Sequence, residues 1–358
     1  MPNPATQVEI LIVGAGLTGL ALADALIRAG RDVLVIEGRD RIGGRILTAE
    51  VAGASVDLGP AWIWPGQPRV AALVKDLGLQ VFEQHAAGRL VFQAADGAVR
   101  HDLDMAPMAG ALRIEGGLSG LTSGLAERTD SGAIRTGHRL TALNAADGGI
   151  AAKIDAGGPM TVTAKQVILA VPPRLLEDSF DFTPHLPETA RKEMRATPTW
   201  MAGHAKVVAI YSRPFWREAG LNGSAISHRG PLVEIHDASP SDGSSGALFG
   251  FVGVPAAERR DRDQLLSLAK SQLAALFGPE ALTPADMILQ DWATESLTAT
   301  EEDQTPPPGH PAYGPIASLD RLWSGRLHIA SSEMAPVSGG LIEGALEAAQ
   351  RTAARILA

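Results

Sequence analysis

A strand, a glycine-rich turn, a helix and a second strand ending in an acid follow one another near the start of the chain, and this order constrains the fold most. Residues 8–13 are almost entirely apolar and predict a short buried strand. The run Gly-Ala-Gly-Leu-Thr-Gly follows at residues 14–19, and residues 20–29 then have helical periodicity. Residues 32–36 are a second apolar run that ends at Glu37. This order predicts a Rossmann-like βαβ unit.

The three glycines and the acid of this unit each have a physical role in binding a dinucleotide. Gly14 permits a tight turn, Gly16 lets backbone N–H groups approach a pyrophosphate, and Gly19 lets the helix pack closely on the sheet. The start of the helix offers unpaired N–H donors and a partial positive charge to the phosphates. Glu37 would accept hydrogen bonds from a ribose and would repel the 2′-phosphate of NADP. The alternative is a glycine-rich turn without a ligand.

The segment after the acid adds two arginines and a glycine pair. Arg39 and Arg45 could neutralise a diphosphate, and the glycines at 43–44 leave room for backbone to lie against a second, bulkier part of a cofactor. The residues alone leave open that both arginines are solvated surface charges.

Composition excludes several classes of function. The formal net charge of −9 argues against nucleic-acid or anionic-membrane partners, which need a positive surface. The chain has no cysteine, which excludes disulfides, thiolate catalysis, Cys-ligated metals and a cysteinyl-flavin link, and no metal site is expected. No run of 18 apolar residues predicts a membrane span, so a cytoplasmic protein is expected.

Several motifs resemble those of the flavin-containing amine oxidase (monoamine oxidase-like) family. Residues 35–45 resemble its E-x-R-x-R-x-G-G-R signature, and residues 57–62 resemble its D-x-G-G-x-W segment, with Pro60 in place of the second glycine. Further segments resemble the family in the same order, and together roughly two-thirds of the chain takes part: residues 115–125, 134–143, 166–173, 206–216 and 327–345.

The resemblance implies an α/β fold, in which a Rossmann-like domain binds FAD non-covalently. A smaller α+β substrate domain would be built on a mixed or antiparallel sheet, with its helical cap shortened, because only about fifty residues lie between Trp62 and Gly116. The FAD domain is expected to be discontinuous, and the expected boundaries are 1–69, 115–195 and 293–358 for the FAD domain and 70–114 and 196–292 for the substrate domain.

The family's cofactor contacts carry over residue by residue. Together with Gly19 of the glycine turn, the expected cofactor-binding residues are Gly14, Gly16, Glu37, Arg39, Gly44, Arg45, Gly59, Ala61, Trp62, Leu140 (by its backbone), Glu333 and Ile342 (by its backbone).

One lysine is the candidate catalytic residue. Lys206 interrupts an otherwise apolar run at residues 205–210. Its residue type alone leaves open a lysine at a sheet edge whose charge reaches solvent. The resemblance implies instead that Lys206 holds a water against flavin N5, where it could assist substrate deprotonation or steer oxygen to the reduced ring. His204 would share its face of the strand, although simple packing is the commoner role.

Trp292 is implied to pack near the lysine and the flavin, with a core tryptophan as the alternative. Trp62 and Trp64 could line the flavin or the mouth of the substrate site, or pack in the core. The family frames the substrate amine between two aromatic rings, but here Leu341 stands at one of those positions and Glu302 near the other. The aromatic cage is therefore expected to be absent or rebuilt. Ser331 also replaces the usual glycine of the closing strand.

The resemblance implies an FAD-dependent oxidase that takes hydride from the α-carbon of a primary or secondary amine to flavin N5, with O2 as acceptor, giving imine and H2O2. Two alternatives stay open: an FAD-dependent dehydrogenase or desaturase of carbon–carbon bonds in an apolar substrate, and a non-catalytic flavin-bearing subunit that binds a partner. A homo-oligomer is compatible with each of them.

Overall fold

The computed structural model describes residues 6–129 and 132–358, apart from the side chain at position 178. Residues 1–5 and 130–131 of the predicted FAD domain lie outside the described residues.

The strands are β1 (Thr6–Val13), β2 (Val33–Ile36), β3 (Thr48–Val51), β4 (Ala54–Asp57), β5 (Val81–Glu83), β6 (Arg89–Gln93), β7 (Val99–Leu103), β8 (Leu112–Ile114), β9 (Ile134–Arg135), β10 (Arg139–Ala146), β11 (Gly149–Asp155), β12 (Pro159–Leu169), β13 (Asp181–Thr183), β14 (Ala205–Tyr211), β15 (Leu221–Ser227), β16 (Leu232–Asp237), β17 (Gly246–Val252), β18 (Asp286–Asp291) and β19 (Leu327–Ile329). The helices are α1 (Leu17–Arg28), α2 (Pro68–Leu77), α3 (Ser119–Glu127), α4 (Pro173–Ser179), α5 (Glu188–Ala196), α6 (Phe215–Glu218), α7 (Arg262–Phe277), α8 (Leu322–Gly325) and α9 (Ile342–Leu357).

The first sheet carries the predicted βαβ unit. Its strand order is β13-β10-β11-β12-β1-β2-β9, and β19 pairs with the second half of β12. β1 runs parallel to both β12 and β2. Ile10 and Ile12 of β1 enter one core cluster, with α1, α3 and α9, whereas Leu11 and Val13 enter the cluster on the other face. Burial on both faces explains why this strand is a continuous apolar run.

The segment at 134–143, one of those that resemble the family, is not a single strand. It contains β9 and the start of β10, which are separated by a turn in which Gly137 has φ +66°. The left-handed conformation at this glycine breaks the strand, because an extended chain has negative φ.

The second sheet has the order β18-β14-β17-β16-β15-β6-β7. The sheet is mixed, because β15 and β6 run parallel to each other whereas the other described strand pairs of the sheet are antiparallel. Its described strands come from residues 89–103 and 205–291. The division of the chain into two domains stays a prediction.

The two faces of β14 have different neighbours. Val207, Ala209 and Tyr211 pack in a cluster with α7. Val208 and Ile210 pack against a cluster that includes β4 and the residues just after it. Since side chains alternate along a strand, Lys206 lies on this second face and points towards the segment that follows β4.

No helix among the described residues is both long and apolar enough to span a membrane.

Candidate functional site

One cavity collects most of the predicted site residues from distant parts of the chain. Its volume is about 360 Å³, within the range of pockets that hold a small ligand. The turn after β1, the end of β2, residues 58–62, residues 200–206 and the start of α9 all contribute to its wall. Both sheets therefore line one continuous space.

Glycine backbone forms the wall next to β1. Gly14 has φ +105°, and a Cβ there would lie 2.7 Å from the carbonyl oxygen of Ala170, so only glycine fits this turn. A Cβ on Gly16 would instead meet no protein atom closer than 3.9 Å. Gly16 and Gly44 both line the cavity, so this wall is bare backbone at the start of α1. Bare N–H groups at a helix start are suited to bind phosphate.

Gly19 has a packing role and does not line the cavity. A Cβ at this position would lie 1.9 Å from the carbonyl oxygen of Gly14. The glycine therefore lets α1 approach the turn that shapes the phosphate wall.

Glu37 stands at the end of β2 with its side chain buried. Its carboxylate accepts hydrogen bonds from the backbone N–H groups of Ala15 and Arg39, both at 3.0 Å. Each carboxylate oxygen has more than one acceptor site, so Glu37 can still accept from the hydroxyls of a ribose in the cavity that it lines.

The two arginines are bound within the protein rather than solvated. Arg39 donates to the hydroxyl of Thr298 at 2.7 Å, and its side chain is 11% exposed. Arg45 forms a bidentate pair with Glu333, with Nη1 to Oε1 at 2.6 Å and Nη2 to Oε2 at 3.2 Å. Burial is the largest influence on Glu333 and alone would raise its pKa, but the charge and hydrogen bonds of Arg45, with further hydrogen bonds from the backbone and Ser332, together lower the pKa of Glu333. Arg45 therefore reaches the cavity with its charge already compensated.

Lys206 lies in the middle of the second sheet. β14 pairs with β17 on one side and β18 on the other, so the alternative of a lysine at a sheet edge does not apply. Lys206 is 3% exposed, and its Nζ donates to the carbonyl oxygens of Asp57 at 3.1 Å and Gly59 at 2.6 Å. The Nζ also lies 4.2 Å from the ring centre of Phe249. Its contacts are thus to backbone and to an aromatic face, and none of the described residues gives it a direct carboxylate partner.

This environment lowers the pKa of Lys206 to about 7. Burial is the main cause, because a desolvated ammonium is disfavoured. The nearby Asp57 opposes the change and the buried Arg113 adds to it. Lys206 can therefore gain or lose a proton near neutral pH.

Two tryptophans are fixed around the lysine. Trp292 donates from Nε1 to the carbonyl oxygen of Leu58 at 3.1 Å. Trp62 donates to Gln84 at 2.8 Å, and the ring of His236 packs edge-on against it at 4.9 Å. Both tryptophans line the cavity, so neither is simply a core residue.

Two buried polar atoms at the cavity have no hydrogen-bond partner among the described residues. These are Nδ1 of His204 and Oγ of Ser331. Buried polar atoms in folded proteins are usually satisfied, and unpaired atoms that border a cavity are available to a bound molecule. With the bare glycine wall and the acid at the end of β2, they make the cavity fit FAD.

The other predicted residues divide into two groups. Those that line the cavity are Gly59, Ala61, Trp64, Leu341 and Ile342. Glu333 and Leu140 lie behind it: Glu333 is fully buried against Arg45, and the side chain of Leu140 packs in the core of the first sheet.

Glu302 needs a correction. Its side chain is exposed in a short 3-10 turn at Glu302–Gln304 and does not line the cavity. The carboxylate of Asp303 accepts from Arg174 at 2.6 Å and from the backbone N–H of Thr199 at 3.0 Å. These bonds turn Asp303 inwards and leave Glu302 on the outer side of the turn.

Sequence reasoning did not single out several residues that line the cavity, among them Trp200, Phe251 and Thr298. Phe251 had a signal, because it is an aromatic residue in an apolar strand that pairs directly opposite Lys206. Trp200 and Thr298 stand in irregular segments, where no periodicity indicates the direction of a side chain.

Comparisons with known proteins agree with this site. A family model described as flavin containing amine oxidoreductase matches residues 17–100 and 90–357. A protein of Mycobacterium tuberculosis named as a flavin-containing monoamine oxidase is 30% identical, over 99% of this chain and 98% of the relative. The putrescine oxidase of Kocuria rosea is 26% identical, over 99% of this chain and 96% of that protein.

A solved structure of putrescine oxidase bound to putrescine has a TM-score of 0.83 at 24% identity, covering 99% of this chain and 100% of that chain. This likeness confirms the predicted α/β fold class. The alignment with the M. tuberculosis relative runs over 461 positions, whereas this chain has 358 residues, so gaps open in this chain. This chain is therefore shorter than that relative, which agrees with the predicted shortening of the helical cap.

Proposed function

Because this chain belongs to the family of flavin-containing amine oxidoreductases, we propose that it oxidises a primary or secondary amine at the carbon next to nitrogen, with O2 as the electron acceptor. It is an FAD-dependent oxidoreductase. The observation that carries the proposal is the position of Lys206, a buried amine that lines the same cavity as the glycine wall.

The residues of the glycine wall and the start of α1 would hold the phosphates, and Glu37 would hold a ribose. When bound, FAD would supply the two-electron chemistry, accepting a hydride from the amine's α-carbon and passing both electrons to O2, so that imine and H2O2 would form. Ser331 and His204 would offer polar groups to the bound molecules, and Trp62 and Trp292 would line the space beside them.

Lys206 would hold and move a proton at Nζ. An ammonium has three N–H donors, and two of them are used by the carbonyl groups of Asp57 and Gly59. The third position on the nitrogen remains for the cavity, as an N–H group below pH 7 and as a lone pair above it. In the lone-pair form Lys206 could accept a proton as the substrate is oxidised, directly or through a water.

The charges around the cavity favour a substrate with a single amine. Among the described lining residues, Glu37 is the one carboxylate, and it stands at the end of β2. The side chains that line the cavity near Lys206 include the aromatic rings of Phe251 and Trp292. A second ammonium on the substrate would therefore be desolvated without an acidic partner. We propose an amine carried on an apolar body.

Anaerobic mixing tests this function. The FAD-loaded protein is mixed with benzylamine, n-butylamine or putrescine, the visible absorbance of the flavin is followed, and air is then admitted while H2O2 is measured. We expect the two monoamines to bleach the flavin and air to restore it with release of peroxide. Lys206→Met should keep the yellow colour but be reduced more slowly. If no amine bleaches the flavin, the proposal is wrong.

A further inference from the structure

Trp200 stands at a position that neither the motifs nor the proposed function explains. It lies in the segment between α5 and β14, six residues before Lys206, and its side chain is half-buried. The run from Trp200 to Lys206 follows the wall of the cavity, and Trp200, Met201, Ala202 and His204 all line it. The indole and the amine of Lys206 therefore face one space.

Trp200 packs beside the residue that precedes Leu341. A Cβ built on Gly340, the preceding residue, would lie 3.1 Å from Cβ and 3.3 Å from Cγ of Trp200. Leu341 stands where the resemblance implies an aromatic ring, but it is an aliphatic side chain that is 40% exposed. An aromatic side chain from another part of the chain therefore stands beside residue 340, and Trp200 and Leu341 both line the cavity.

Two further rings hold Trp200 in place. The ring of His310 lies 4.7 Å from that of Trp200, and the ring of Tyr313 lies 5.5 Å from that of His310 at 90°. The hydroxyl of Tyr313 donates to the carbonyl oxygen of Pro198 at 2.8 Å. This bond ties the two rings to the segment that carries Trp200. A side chain supported in this way is fixed before a ligand arrives, which reduces the entropy lost on binding.

The remaining aromatic wall is fixed as well. Phe251 pairs opposite Lys206 across β14 and β17, and Lys206 Nζ lies 5.7 Å from its ring centre. Trp62 is held by its hydrogen bond to Gln84. A flat apolar group attached to the reacting amine would meet aromatic surface from different elements, and ring contacts add attraction beyond the burial of area.

We propose that Trp200 supplies the aromatic surface that contacts the substrate's apolar body, and that it makes the site prefer amines carrying an aromatic ring over linear aliphatic amines. This inference rests on the proposed amine oxidation. Trp200 acts in it as a specificity-determining residue, and the proton chemistry at Lys206 does not depend on it.

The test compares KM and kcat of the FAD-loaded enzyme for benzylamine and n-butylamine. Trp200→Leu keeps an apolar side chain but removes the ring, and we expect its KM for benzylamine to rise about tenfold. The KM for n-butylamine should change by less than about threefold, and kcat at saturation should stay within about threefold for both amines. Trp200→Phe restores a ring and should recover most of the preference for benzylamine.

Trp323→Leu is the matched control. Trp323 also packs against another ring, that of Phe182 at 6.0 Å, but does not line the cavity. Its replacement should leave the ratio of the two KM values unchanged. If Trp200→Leu does not retain flavin, Trp200→Met is measured in its place.

The outcomes separate the two proposals. If the wild-type enzyme oxidises neither amine, the proposed function fails and this inference falls with it. If the wild-type enzyme oxidises both, but Trp200→Leu keeps the wild-type ratio of KM values or raises both KM values equally, only the role of Trp200 is overturned.

Discussion

Replacing Lys206 with methionine should remove a gain in stability that the wild type shows as the pH rises, because Lys206 is buried. The lysine releases its proton at a pKa of about 7 in the folded protein, against an ordinary value of 10.5. Between these pH values the unfolded chain binds the proton and the folded chain does not. Folding therefore releases a proton in this window, so raising the pH favours folding and increases the stability of the folded state. Methionine has no proton to lose, so the variant lacks this gain.

The magnitude follows from the pKa difference. Each pH unit in this window is worth roughly 1.4 kcal/mol. From pH 7.5 to pH 9.5 the free energy of unfolding of the wild type should therefore rise by about 3 kcal/mol relative to that of Lys206→Met. The variant also loses the hydrogen bonds to Asp57 and Gly59, each worth about 1 kcal/mol, but that loss varies little with pH.

Urea unfolding at the two pH values, with saturating FAD and circular dichroism as the signal, measures this difference. Lys153→Met is the matched control, because Lys153 is an exposed lysine on β11 and its replacement should not alter the pH dependence. If the difference in the free energy of unfolding between wild type and Lys206→Met is the same at pH 7.5 and pH 9.5, burial does not lower the pKa of Lys206 and the reasoning is refuted.

Three other substitutions test the cofactor side of the cavity. Glu37→Ala removes a carboxylate that binds two backbone N–H groups, and titration with FAD should show a dissociation constant at least about tenfold higher. Arg45→Met leaves the buried Glu333 without its partner and should destabilise the FAD-loaded protein by about 3–5 kcal/mol in urea unfolding, with part of the loss recovered when Glu333→Gln is added. Gly19→Ala would place a Cβ 1.9 Å from the carbonyl oxygen of Gly14, so the purified protein should be colourless; a yellow Gly19→Ala protein with normal flavin content would contradict the close packing.

The βαβ unit could be predicted from the sequence because each of its elements has a local cause. The apolar run of β1, the glycines of the turn and the acid after β2 are adjacent in the chain, and their geometry depends little on distant residues. That Lys206 is unusual was predictable, since a single cation interrupts an apolar strand, but only the resemblance implied a role beside the flavin. The partners of Lys206 were not predictable, because Asp57 lies 149 residues away and contributes a backbone carbonyl, which every residue type possesses.

The rest of the site depends on long-range packing. Arg45 was expected to face a diphosphate, but it pairs with Glu333, which is 288 residues distant. Glu302 was placed by a resemblance that passes through a proline-rich loop, where no periodicity sets the alignment. Trp200 has no signal in its own segment, since the rings that support it, His310 and Tyr313, come from more than 100 residues later in the chain.

Lys206 and Trp292 together hold the carbonyl groups of three consecutive residues, 57–59. Leu58 and Gly59 of this short stretch line the cavity, and the same stretch anchors the amine of Lys206. Substitutions here should change coenzyme affinity and the pKa of Lys206 together. A change that weakens coenzyme binding also exposes Lys206 to water, which returns its pKa towards that of a lysine in solution. Coenzyme retention and proton affinity should therefore vary in concert among variants of this stretch.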